Sequence, residues 1–217
     1  MFGLCPHTVE KFHRTVLVSV VLGATWLASI AFGMRILLNY DNGPGRTATV
    51  PKNFPAQSAL VLATDRPTLV MLAHPRCPCT RASVGELAQI MAELQGQVKA
   101  YVVFAKPADS GPDWNDTDLW RSVAEIPGVT PVGDDGGLES RRFGAETSGH
   151  TLLFAADGRL LFSGGITQSR GHAGGNEGES AIVSLVKYQR AARAQTPVFG
   201  CSLVGAGTVG IKKVCLK

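Results

Sequence analysis

Cys77 and Cys79 stand one residue apart in His74-Pro75-Arg76-Cys77-Pro78-Cys79-Thr80. Two thiols this close can exchange a disulfide with a partner or hold a soft metal ion. A disulfide across a single intervening residue closes a small ring, so it is strained and more easily reduced than a relaxed structural bond. Pro78 fixes one φ angle and suits the first turn of a helix, where no backbone N–H is needed. A cysteine at a helix N-terminus meets the positive end of the helix dipole and free N–H groups, both of which favour thiolate. Arg76 and Arg81 are expected to add to that field. Two buried inert thiols or a static staple are also compatible with these residues. So is Cu(I) held by both sulfurs with His74, His150 or His172. Zinc fits least, because Cys201 and Cys215 are too far apart to supply a second close ligand pair.

The elements around the thiols are those of an α/β domain. An apolar run over 69–73 reads as a buried strand, and 83–94 puts Val84, Leu87, Ile90, Met91 and Leu94 on one helical face. Residues 99–105 form another buried strand, so the two strands should be parallel, with the thiols at the carboxyl end of the first, where such sheets place their sites. Short helices are expected over 118–125 and 138–143, and a strand over 128–132. Residues 150–154 and 159–163 flank Asp157-Gly158 as a hairpin. A glycine-rich loop over 164–178 leads to a closing helix over 179–193.

The 217 residues suffice for one domain beyond an N-terminal segment. A formal net charge of +4 is spread among acidic residues with no basic stripe, which argues against nucleic acid as partner. Five cysteines, an odd count, do not make a disulfide framework. Residues 1–14 form a short tail, and 15–38 a transmembrane anchor, since 15–34 carry no charge and suffice to cross about 30 Å of hydrocarbon. A cleaved signal peptide ending near Ser29-Ile30-Ala31 is the rival, but the apolar run is longer than such segments usually are. Lys11 and Arg14 before the span compete with Arg35, Arg46 and Lys52 after it, so charge leaves orientation open. Context favours an exported C-terminal domain at a bacterial inner membrane. Residues 39–58 have linker composition, 59–200 the folded domain, and 201–217 a C-terminal tail.

Strand, cysteine motif, helix, strand and then a hairpin with Asp157-Gly158 resembles the thioredoxin superfamily, over residues 59–193. HPRCPCTRASVGEL, FGAETSGHTLLF, GGITQSRGH and TPVFGC resemble a small group of bacterial proteins called RedB-like. The resemblance implies a thioredoxin-like fold, a central mixed sheet flanked by helices, and dithiol–disulfide exchange without a dissociable cofactor, on an exported or membrane partner bearing a thiol or disulfide. Two departures stand out. One residue, not two, separates the cysteines, with Thr80 where the second would fall, so Cys79 is either a displaced resolving thiol or a metal ligand. Gly149 replaces the proline before the hairpin strand, which is expected to bring His150 near the sulfurs as proton acceptor or third ligand. Cys201 could exchange with the pair if the tail folds back. His172 reads as a solvated loop residue, and Trp114 and Trp120 as packing. The leading expectation is a thiol–disulfide oxidoreductase with Cys77, Cys79 and His150 as its site. The alternatives are a Cu(I) carrier using the same three residues and a silent interaction module.

Overall fold

The structure, a computed structural model, describes residues 6–203. The described residues divide into two units, 6–41 and 42–203. The first is a single helix, α1 (Pro6–Asp41). It is longer than the apolar run because helix continues through the polar flanks on both sides. Over 11–41 it is long and apolar enough to cross a membrane. Its large side chains face outward, with Leu17, Trp26 and Phe32 each more than 60% exposed. Apolar exposure of this kind is compatible with a membrane anchor.

The second unit is built on a five-stranded sheet: β1 (Thr68–Ala73), β2 (Lys99–Lys106), β3 (Val129–Asp135), β4 (His150–Phe154) and β5 (Leu160–Gly164). The spatial order is β3-β2-β1-β4-β5. β1, β2 and β3 run parallel, whereas β4 is antiparallel to β1 and β5 to β4. β1 is buried at all six positions, as expected of a central strand covered on both faces. Gly158 turns the β4–β5 hairpin at φ +87°, a conformation glycine reaches without strain.

Helix α2 (Pro78–Leu94) follows β1 and buries Val84, Leu87, Ile90, Met91 and Leu94, the face its periodicity marks out. Full burial of Leu87, Ile90 and Leu94 contributes roughly 1.5–3 kcal/mol each. α3 (Asp118–Ala124) is capped by the Thr117 hydroxyl, which accepts from the Trp120 N–H. α4 (Leu138–Arg142) and α5 (Glu177–Tyr188) complete the set, and a 3-10 turn at Pro112–Asn115 was not anticipated. α5 is capped by Asn176 and closes at Gln189, short of residue 193.

Residues 42–58 are not a free linker. Phe54 N–H donates to Gly158 O, Asn53 bridges Arg159, and the Phe54 ring packs edge-on against Phe143 and Phe154. Ser58 and the Ala59 N–H both donate to the buried carboxylate of Glu139. Nor do residues 201–203 begin a loose tail. After α5 the chain returns across the hairpin end: Ser163 pairs Gln195, Gly45 N–H donates to Val198 O, and Thr147 pairs Ser202. This segment is irregular and has no apolar periodicity, so its packing has no signal at the level of pattern. Cys5 and Cys215 lie outside the described residues.

Candidate functional site

The thiol motif sits at the carboxyl end of β1, as the strand–helix reading requires. Cys77 is the N-cap residue of α2, with extended backbone at φ −87° and ψ 117°, and Pro78 occupies the first turn. The helix therefore begins five residues earlier than its apolar face. At the first helical position the missing N–H of proline costs no hydrogen bond, and the residue whose helical backbone it disfavours is Cys77, the non-helical cap.

Cys201 arrives on the returning C-terminal segment, and its sulfur shares a hydrogen bond with that of Cys77 at 2.6 Å. With Cys79 included, three sulfurs lie within 4.8 Å of one another. Cys77 is buried, while Cys79 and Cys201 are each partly exposed. All three are free thiols. The backbone holds Cys201 in place: Ser148 N–H donates to Cys201 O at 2.8 Å, and Leu203 N–H to Glu146 O at 2.8 Å.

Ser148 ties the two sides of the site together. Its hydroxyl accepts from the His74 N–H at 2.8 Å and bonds the Thr80 hydroxyl at 2.6 Å. Thr80 thus has a positioning role where the resemblance would place a second cysteine. Gly149 donates its N–H to Leu72 O and sits at φ +88°; a Cβ there would press on the Ser83 hydroxyl at 3.0 Å.

Burial pushes the Cys77 thiol up, yet hydrogen bonds from Cys201 and Thr80 outweigh it and hold it below the ordinary value. Cys79 moves the other way, raised by burial and then by the charge and hydrogen bond of Cys77. Cys201 is pushed up to about 12 by burial and by its bond to Cys77. Cys77 is therefore the most acidic thiol of the group, and Cys201, hydrogen-bonded to it, the least.

The cation acting on this group is Arg170, from the loop before α5, whose charge lowers both Cys79 and Cys201. Its guanidinium donates to Gly200 O and, at 3.2 Å, to Gly43 O. That loop is fastened by Glu86, a fully buried carboxylate of α2 that accepts from Gly174 N–H at 2.7 Å and the Asn176 amide at 3.2 Å. Neither Arg170 nor Glu86 was singled out in the sequence, because their partners lie 88 and more positions away or on irregular backbone. The expected cations are engaged elsewhere. Arg76 stacks over Trp114 at 4.4 Å, and Arg81 pairs with Asp118 at 2.6 Å. Trp114 also meets the His74 ring edge-on at 5.9 Å, which gives it a place beside the motif and not in the core, while Trp120 packs on Phe104.

His150 is not brought into the sulfur cluster, contrary to expectation. It alternates along β4 with Leu153 so as to face the side of the sheet occupied by Leu152 and Phe154, away from α2. Its Nε2 bonds the Ser163 hydroxyl at 2.8 Å, and its Nδ1 is buried without a hydrogen-bond partner. Burial lowers its pKa to about 4, so the ring is neutral. The glycine before it does free the backbone, but strand alternation decides where the side chain goes. His172 is exposed, its Nδ1 against Arg170 O at 3.0 Å, and takes no part in the cluster. Three sulfurs without an imidazole still suit a soft ion such as Cu(I), which prefers thiolate ligands.

No family model and no curated protein matches this chain. Among solved structures it is similar to an uncharacterized conserved protein from Geobacillus kaustophilus, at 18% identity and TM-score 0.55 over 75% of this chain and 92% of that one. It is also similar to a hypothetical protein from Sinorhizobium meliloti 1021, at 18% identity and TM-score 0.55 over 74% and 93%. A putative thiol:disulfide interchange protein DsbE from Chlorobium tepidum matches at 18% identity and TM-score 0.41 over 66% and 97%. The strand order, with parallel β1–β2 joined through α2 and an antiparallel β4–β5 hairpin followed by a helix, decides the fold. The domain has the thioredoxin-like fold. Within this thioredoxin-like domain the cysteine motif occupies the turn from β1 into α2, and the β3 edge strand extends the sheet on the far side of β2.

Proposed function

We propose that the chain is a membrane-tethered thiol–disulfide oxidoreductase, with the thioredoxin-like domain on the exported side and Cys77 as its attacking thiol. The observation that carries this reading is a lowered Cys77 thiol, capping a helix, with a second thiol 2.6 Å away. Exchange proceeds by thiolate attack on a disulfide, and a neighbouring thiol then releases the partner from the mixed disulfide. No dissociable cofactor is needed. Cys79 and Cys201 are both partly exposed, so solvent and partner reach the group past them. The helix 11–41 confines the reaction to thiols or disulfides near a membrane.

The test is equilibration of the full-length protein, in detergent, across glutathione redox buffers, with each cysteine's state read by mass spectrometry. A two-electron transition involving Cys77 at a potential above roughly −300 mV, the range of structural disulfides, is the expected result. A Cys77 inert to alkylation in the folded protein and reactive only after unfolding would remove the reading.

A second reading has its own support in three sulfurs within 4.8 Å: a Cu(I) carrier using Cys77, Cys79 and Cys201, with Cys201 in place of the histidine first expected. Stoichiometric Cu(I) uptake by the reduced protein, lost in Cys79→Ser, would favour it over exchange chemistry.

A further inference from the structure

We infer that the redox-active disulfide of this protein forms between Cys77 and Cys201, not between Cys77 and Cys79, so that the C-terminal segment supplies the resolving thiol. The inference rests on the oxidoreductase reading and assigns the second cysteine within it. Cys201 is 124 positions from Cys77, yet its sulfur lies 2.6 Å from the Cys77 sulfur and is hydrogen-bonded to it.

The segment carrying Cys201 is anchored from four sides. Ser148 N–H holds Cys201 O, Leu203 N–H holds Glu146 O, Gly45 N–H holds Val198 O, and the Arg170 guanidinium holds Gly200 O. Gly200, immediately before the cysteine, lies against Ser148 O with no room for a Cβ. That contact brings the segment down onto the turn before β4. Ser148 in turn bonds Thr80, one turn into α2 from Cys77. Each sulfur is thus fixed by a framework that shares Ser148. Cys79 has a different setting: it lies inside the first turn of α2, and its geometry with Cys77 is dictated by the two-residue step across Pro78.

The electron bookkeeping closes without a further reagent. The Cys77 thiolate attacks a partner disulfide, forming a Cys77–partner S–S bond and expelling the partner's other sulfur as thiolate. Cys201 gives up its proton to that thiolate, and its sulfur attacks Cys77 Sγ. The Cys77–Cys201 bond forms, the Cys77–partner bond breaks, and the partner's second sulfur leaves as thiolate and takes a proton from solvent. The partner gains two electrons and the protein loses two. Burial, the largest cause raising the Cys201 thiol, persists in the mixed disulfide, but the hydrogen bond and charge of Cys77 that add to it vanish, while Arg170 remains to favour the Cys201 thiolate. Part of the restraint on Cys201 is thereby lifted when Cys77 engages a partner. Arg170 is a positioning residue, acting on Cys201 through the backbone that it holds and through its charge.

The deciding experiment maps disulfides in the full-length protein, in detergent, after equilibration with glutathione buffers and acid trapping, for wild type, Cys79→Ser and Cys201→Ser. The expected result is a Cys77–Cys201 bond in wild type and in Cys79→Ser. Cys201→Ser should accumulate about tenfold more glutathione mixed disulfide on Cys77 than wild type. A Cys77–Cys79 bond as the main oxidised form, with Cys201→Ser behaving as wild type, overturns the inference and leaves the oxidoreductase reading standing. No disulfide and no glutathione adduct at Cys77 in any of the three proteins overturns both. The wild-type map decides the assignment even if a serine variant folds poorly.

Discussion

On one face of the sheet, α2, α3 and α5 lay a helical cover over Leu69, Met71, Val102, Phe104 and Leu153. On the other face, Val70, Leu72, Val103, Leu152 and Phe154 are covered by Phe54, Leu60 and Leu62 from the stretch before β1, by Phe143 and Ala145 after α4, and by Leu203 near the C-terminus. Both faces are buried, but only one is written as a periodic pattern. Helical cover announces itself every three or four residues, whereas irregular cover depends on single rings set down by backbone hydrogen bonds. The sulfur cluster draws on both kinds of chain, with Cys77 and Cys79 from the start of α2 and Cys201 from the irregular return.

If the irregular face is a true core, truncation there must cost as much as truncation under the helices. Phe154→Ala removes a fully buried ring that meets Phe54 at 5.3 Å and Phe143 at 5.9 Å. The expected loss is about 3–5 kcal/mol, against about 2–5 kcal/mol for Leu87→Ala on the helical side. Denaturant unfolding of the full-length protein measures both. A Phe154→Ala loss under about 1 kcal/mol, with Leu87→Ala behaving as expected, would mean that the irregular cover is not part of the cooperative unit.

The same contrast governs what could be read from the residues. The strand–helix–strand unit, the hairpin and the position of the thiol pair are all local, and each was legible from period, turn residues and order. The role of 42–58 as cover was not, because Gly, Pro and Asn there describe a flexible chain equally well. Cys201 could be named as a thiol worth following, but its arrival beside Cys77 depends on Ser148 and Gly200 meeting across 52 positions, at the end of a return after α5 that carries no pattern. His150 shows the opposite error. A short motif suggested proximity to the sulfurs, and the alternation of β4 carried the ring to the other face.

His150 also gives the irregular face a pH signature. Its folded pKa of about 4 lies below the ordinary 6.5, so between these values the unfolded chain binds a proton that the folded protein refuses. Stability from this group is complete above about pH 6.5 and falls as pH drops toward 4, by about 3 kcal/mol in all, with a slope near 1.4 kcal/mol per pH unit. Urea unfolding at a series of pH values should display that slope in wild type and lose it in His150→Gln. Identical pH profiles for the two proteins would show that the ring is reached by water and protonates freely.

Two glycines sharpen the comparison at the level of backbone. Gly200 is buried in the irregular return, where a Cβ meets Ser148 O; Gly85 is exposed on α2 with nothing within 4 Å. Gly200→Ala should destabilise by about 1–3 kcal/mol, while Gly85→Ala should stabilise by about 0.5–1 kcal/mol through helix propensity. Thermal melts of the two variants give opposite signs if close backbone approach is what seats Cys201. Equal effects of one sign would undo that claim.

The smallest effect expected is electrostatic, and it separates the cation delivered by irregular chain from the cation on the helix. Arg170 favours the thiolates of Cys79 and Cys201, whereas Arg81 is spent on Asp118 at the surface. Alkylation rates resolved by cysteine and followed against pH should therefore place the Cys79 midpoint higher in Arg170→Gln than in wild type, and leave it unmoved in Arg81→Gln. The Arg170 shift should shrink as salt is raised, because a partly exposed charge is screened over about 10 Å at 0.1 M. A shift that persists at high salt would have to come from the hydrogen bonds of Arg170 to Gly200 O and Gly43 O, which would make its contribution mechanical, and the Cys77–Cys201 approach should then loosen along with it.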